Sequence, residues 1–137
     1  MASLTTSYFA VAKRLKGIKI STARFNIPRL VGSLDEIQTS FAPSVRLLQE
    51  YKGTGMSWSE YTKHYREEQR RHFKEHPEDF GKILTRATIE DVILLCYEKF
   101  VGPKTQCHRM LLYDMLKRVA EEGKHRVNFV DEKTPYK

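Results

Sequence analysis

The stretch VILLCYEKFVGPKTQCHRML, residues 92–111, decides how this chain folds. It opens as a short, continuous apolar run with no polar alternation, preceded by Asp91. That is the pattern of a strand buried on both faces of a parallel sheet. A loop follows, and from Thr105 the sequence reads as a helix. Met110, Leu111, Tyr113, Met115, Leu116 and Val119 supply a wide apolar face, and Gly123 stands where a C-terminal cap belongs. Strand, loop and helix are most of a βαβ unit, so parallel neighbours are expected beside this strand.

Working toward the N-terminus, SLTTSYF has strand-forming residues, AVAKRLK suits a short helix, and GIKISTA resumes an alternating strand. RFNIPRLVGSLDEIQTSFAPS, with Pro28, Gly32 and Pro43, reads as an irregular connection with one helical turn. A helix is expected from Ser44, broken at KGTGMS. Ser57 with Glu60 three residues on forms a capping box for a long helix with Trp58, Tyr61, Tyr65, Gln69 and Phe73 along one face. Pro77 should end or kink it, and Phe80, Ile83 and Leu84 begin a shorter one. Beyond the last helix, HRVNFVD gives a final strand and residues 131–137 a frayed polar tail. The expectation is one α/β domain over residues 1–130 with a helical insertion at about 33–88. Its core would be a small, mostly parallel sheet of about four strands with helices on both faces, three layers of Rossmann- or flavodoxin-like type.

Composition bounds the functional classes. The chain has 137 residues, 40% of them hydrophobic, enough for one core without staples. No apolar run approaches the roughly 20 residues a membrane span needs, and Lys13 and Arg14 cut short any secretory signal. The acid-free N-terminal segment before Asp35 has the composition of a transit peptide, but its strand and helix patterns fit a structural unit better. Two cysteines without an export signal point to a reducing, cytoplasmic setting with both thiols free. A formal charge of +7 favours anionic partners in general.

Ligands of open parallel sheets bind outside the carboxyl ends of the strands. Here those ends carry Ser7 and Tyr8, then Arg24, then Cys96 and Glu98, facing the helix start at Thr105–Arg109. With Thr105 as N-cap, Cys107 sits in the first turn, where unpaired N–H groups and the helix dipole favour a thiolate. The same groups can hold a phosphate or carboxylate. Cys107 and His108 are therefore the candidate catalytic pair, with Arg24, Arg109, Glu98 and Tyr8 as candidate anion-site residues. The plain alternatives are a core role for Cys96 and an ion pair of Arg109 with Glu98 or Glu60. Two other classes stand beside this one: a thiol redox pair of Cys96 and Cys107, and a nucleic-acid module using Arg70, Arg71 and Lys74 on the long helix. No metal site is expected from Cys96, Cys107 and His108, whose spacing matches no structural zinc signature. No phosphate-loop, dinucleotide or nucleophile-elbow motif specifies a cofactor.

Several stretches together resemble the small bacterial and archaeal proteins grouped as Domain of Unknown Function family 488. They are TTSYFA, ISTARFNIP, FAPSVRLLQEYKG with SWSEYTKHYREE, and above all VILLCYEKFVGPKTQCHRMLLYDML. The resemblance covers most of the chain and implies a compact α/β fold with a parallel sheet, but no established reaction. The family's characteristic positions fall on Arg24, Pro43, Ser44, Tyr65, Cys96, Glu98, Cys107, His108 and Arg109. One departure stands out: many members have Asp-Val-Arg after the second strand, where this chain has Thr22-Ala23-Arg24.

Overall fold

The computed structural model describes residues 2–24, 32, 34–96 and 108–132. Four strands lie parallel in one sheet: β1 Leu4–Tyr8, β2 Ile18–Ser21, β3 Glu36–Ile37 and β4 Val92–Cys96, side by side in the order β1-β4-β2-β3. The apolar run is indeed central. Val92 to Cys96 pair with Leu4 to Tyr8 on one side, and Val92 to Leu95 pair with Ile18 to Ser21 on the other. Every residue of β4 is buried, because helices cover both faces of a strand flanked on both sides.

Four α-helices follow the sequence signals: α1 Val45–Gly53, α2 Trp58–Glu75, α3 Pro77–Ala87 and α4 His108–Glu122. Ser44 and Ser57 cap α1 and α2, their hydroxyls accepting from Leu47 N and Glu60 N, each at 3.1 Å. Pro77 takes the first turn of α3, where its missing N–H costs nothing. Two cores result. On one face Val92 and Leu94 join Leu4, Ile20, Phe80 and Leu112 beneath the α-helices. On the other, Ile93 and Leu95 pack on Phe9 and Val11 of a 3-10 helix, Phe9–Arg14, and on Leu15 just after it. The architecture is a three-layer α/β sandwich, each fully buried aliphatic side chain contributing about 1.5–3 kcal/mol.

The structure changes several expectations. The short helix expected after β1 is present, wound as a 3-10 helix. The connection read as irregular contains β3, joined to β2 by Asp35 N to Lys19 O and Gln38 N to Ser21 O, both at 2.8 Å. The last strand shrinks to a bridge at Phe129, parallel to Leu4, with Leu4 N donating to Asn128 O at 2.8 Å. The tail is held at its first two residues: Thr5 Oγ1 donates to Asp131 O at 2.7 Å and Thr6 Oγ1 to Glu132 at 3.1 Å. In the common doubly wound orders the first two strands are neighbours. Here β4 lies between them.

Gly17, which turns the chain into β2, has φ +140°, and a Cβ there would stand 3.0 Å from the Asp91 carbonyl. That carbonyl accepts from Ile18 N at 2.7 Å, so the glycine lets β2 begin hard against β4. Among the described residues no helix is long and apolar enough to cross a membrane.

Candidate functional site

Because β1, β4 and β2 are parallel, Tyr8, Cys96 and Thr22 arrive together at one edge of the sheet. The first residues of α4 close over that edge. His108 Nε2 lies 2.7 Å from the Thr22 carbonyl and 3.4 Å from its hydroxyl, and that hydroxyl donates to Leu95 O at 3.1 Å. A carbonyl only accepts, so Nε2 carries the hydrogen of a neutral imidazole. Burial pushes the His108 pKa down to about 4; the Arg109 charge lowers it too, and the Thr22 carbonyl opposes them. At neutral pH this histidine is uncharged, able to act as a proton acceptor and not as a fixed cation.

Arg109 is fully buried. Its Nε donates to Glu132 Oε1 at 2.7 Å and its Nη1 to Cys96 Sγ at 3.1 Å. The carboxylate described beside it is Glu132, from the segment read as frayed. Glu132 also accepts from Thr6 of β1, so the end of the chain, α4 and β1 meet around one charge pair. Cys96 is disulfide-bonded, which corrects the reading of two free thiols. The other cysteine of the sequence, Cys107, lies outside the described residues, as do Glu98, Lys104 and Thr105.

Arg24 is half-buried just past β2, its Nε donating to Pro43 O at 3.1 Å. The loop that presents Pro43 is fastened by α2. Tyr65 Oη donates to Phe41 O at 2.7 Å, Gln69 Nε2 to Ser40 O at 3.2 Å, and the Glu68 carboxylate accepts from Ser44 N at 2.9 Å and Ser44 Oγ at 2.5 Å. The Tyr65 ring stands 5.5 Å from that of His108. Burial, with Tyr61 and Glu68 nearby, raises the Tyr65 pKa well above its ordinary value, so the phenol stays a donor. One helix therefore positions both the loop that holds Arg24 and the ring that packs on His108. Tyr8, also fully buried, ends β1 opposite Cys96.

Of the expected site residues, the structure brings together Tyr8, Cys96, His108 and Arg109, and places Arg24 on the adjoining loop. Sequence reasoning missed Thr22 and Glu132 as their partners. Thr22 acts through its carbonyl, which no side-chain pattern reveals, and Glu132 stood in a polar tail with no periodicity. Arg70, Arg71 and Lys74 are exposed on α2, but Tyr65 faces the core, so the aromatic interleaving read there does not lie on one open surface.

A family model, DUF488-N3a, described as the active DUF488-N3 subclade, matches residues 5–120. No curated protein and no solved structure matches the chain.

Proposed function

Because this chain belongs to the DUF488 family, whose name carries no reaction, we propose its function from the strand-end site: it binds a small anionic, nucleotide-like ligand outside β1, β4 and β2 and acts on it through Cys107 and His108. The observation that supports the reading is the burial of two adjacent polar residues, His108 and Arg109, at the start of α4 against the ends of β2 and β4. Burying a charge and an imidazole side by side is costly unless both are paired, as they are here by Glu132 and the Thr22 carbonyl, and such arrangements cluster at functional sites. In this reading Arg24 and Arg109 provide the positive field, neutral His108 accepts a proton, Cys107 is the nucleophile as a thiolate once the Cys96 disulfide is reduced, Glu98 orients one of the cations and Tyr8 the ligand. Titration with nucleotides and phosphorylated metabolites, followed by thermal shift, tests it. Arg24→Ala should weaken the best ligand at least tenfold, with Arg71→Ala on α2 as the silent control. Equal loss in both variants means general charge attraction and sinks the site.

A second reading rests on Cys96, which is disulfide-bonded and accepts a hydrogen bond from a buried guanidinium. In the cytoplasm, where this reading puts the protein, disulfides are chiefly transient and catalytic or sensing. A thiol redox pair of Cys96 and Cys107 would make the nucleophile available only on reduction. Alkylation of Cys107 that requires prior reductant, followed by mass spectrometry, supports the pair. Labelling of both thiols in the untreated cytoplasmic protein removes it.

A further inference from the structure

Away from the strand ends, α2 and α4 leave a cleft of about 200 Å³ between them. Its floor is apolar, from Phe73, Phe80, Met115 and Val119, and its rim carries Arg66, Arg70 and Arg118 against Asp114 and Glu122. A second hollow lies on the other side of Arg66 and Arg70, lined by Trp58, Ser59, Thr62 and Lys63. The two hollows share those two arginines, which stand on the ridge between them. Among the described residues neither Arg66 nor Arg70 forms an ion pair. The Thr62 hydroxyl beside them is buried and has no hydrogen-bond partner among the described residues. A buried hydroxyl without a partner costs free energy, and an acceptor supplied by a ligand would remove that cost.

We propose that this cleft is a second binding site, for the aryl phosphate group of a small molecule. The ring lies in the α2–α4 cleft and the phosphate on the ridge, taken by Arg66, Arg70, Lys63 and the Thr62 hydroxyl. The size fits, since an apolar cavity near 150 Å³ is known to accept a benzene ring. Charge fits as well: two guanidiniums, an ammonium and a hydroxyl offer more donors than the two oxygens of a carboxylate absorb, while a phosphate presents three terminal oxygens. Asp114 and Glu122 at the far rim oppose a continuous polyphosphate chain, which favours a compact ligand over a nucleic-acid strand. Arg118 lies roughly 15 Å along α4 from His108, so the site is separate from the strand ends.

Phenyl phosphate, inorganic phosphate, phenol and a single-stranded oligothymidylate are titrated into the full chain, with affinity and amide chemical-shift changes read by NMR. Phenyl phosphate is expected to bind at least tenfold more tightly than inorganic phosphate or phenol, with shifts centred on residues 62–73 and 114–119. Thr62→Val removes the hydroxyl without changing the side chain's shape. It should leave stability equal or higher while weakening phenyl phosphate several-fold, a combination that a purely structural threonine does not give. Arg70→Ala should weaken it about tenfold and Arg46→Ala, at an exposed position on α1, should leave it unchanged. The proposal is overturned by inorganic phosphate binding as well as phenyl phosphate, by shifts centred on Arg24 and His108, by full affinity in Thr62→Val, or by the oligonucleotide binding more tightly than phenyl phosphate.

Discussion

At the scale of the residue, His108 and Glu132 hold the strand-end site in one state. An unfolded chain protonates its histidine near pH 6.5, whereas folded His108 stays neutral down to about 4. Between those values the unfolded state binds more protons, so this residue makes stability fall as pH drops from about 6.5 to about 4, by up to about 3 kcal/mol. Below the lower value the contribution levels off. In His108→Gln, which keeps an N–H for the Thr22 carbonyl, urea midpoints followed across this range should fall less steeply than in the wild type. A parallel decline would mean that burial is not what governs this histidine. Glu132 faces a guanidinium with 0% side-chain exposure at 2.7 Å. Glu132→Gln leaves that charge without its carboxylate and should cost about 3 kcal/mol in chemical denaturation, far above the 0–1 kcal/mol of a surface pair. The His108 contact also bears on the family's usual aspartate: Thr22 serves the imidazole through its carbonyl, so replacing the side chain at that position leaves the bond intact.

At the scale of the element, the signals that worked were those carried by side chains in sequence-local patterns. The apolar run of β4, the serine caps of α1 and α2 and Pro77 all sit where the pattern put them; of the face read for α4, Leu111 and Leu116 are buried and Met110, Tyr113, Met115 and Val119 half-buried, while Leu112 and Ala120 join the core beside them. What escaped was set by distant partners. Glu36–Ile37 is a strand only because Lys19 and Ser21 of β2 receive its flanking N–H groups, and two residues carry no period of their own. The 3-10 segment after β1 has ordinary helix-forming residues; its tight winding has no local signature. Glycines separate these two kinds of constraint experimentally. Gly17, with φ +140° against the Asp91 carbonyl, should not tolerate a side chain, and Gly17→Ala is expected to cost about 1–3 kcal/mol. Gly81 lies inside α3 with nothing within 4 Å of an added Cβ, so Gly81→Ala should stabilise by about 0.5–1 kcal/mol. Thermal melts of the two variants moving in the same direction would contradict this reading of β2's start.

At the scale of the whole molecule, the question is which of two basic regions a polyanion would meet. The sequence made the strand-end edge legible because a parallel sheet forces its carboxyl ends together. It could not show that Arg109 would turn inward to Glu132 and Cys96, since that depends on where the chain's end returns. The formal charge of +7 attracts nucleic acid in a general way. A long exposed run on α2 sets Arg66, Arg70, Arg71 and Lys74 among Glu67, Glu68 and Glu75. Glu68 is engaged with Ser44, but Glu67 and Glu75 remain exposed and dilute the field along the helix. Tyr65, which would have supplied a stacking platform, is fully buried. Binding to single or double strands should therefore be no tighter than the roughly 10⁻⁴–10⁻⁶ M of non-specific association at physiological salt, and should weaken steeply as salt rises. Cys107→Ser should not change it. Arg70→Ala with Arg71→Ala should reduce the slope of log affinity against log salt by about two, the number of phosphate contacts removed, without revealing any sequence preference. A sub-micromolar complex at physiological salt that depends on Arg70 and Arg71 would instead make α2 the functional face and the strand-end network a structural anchor.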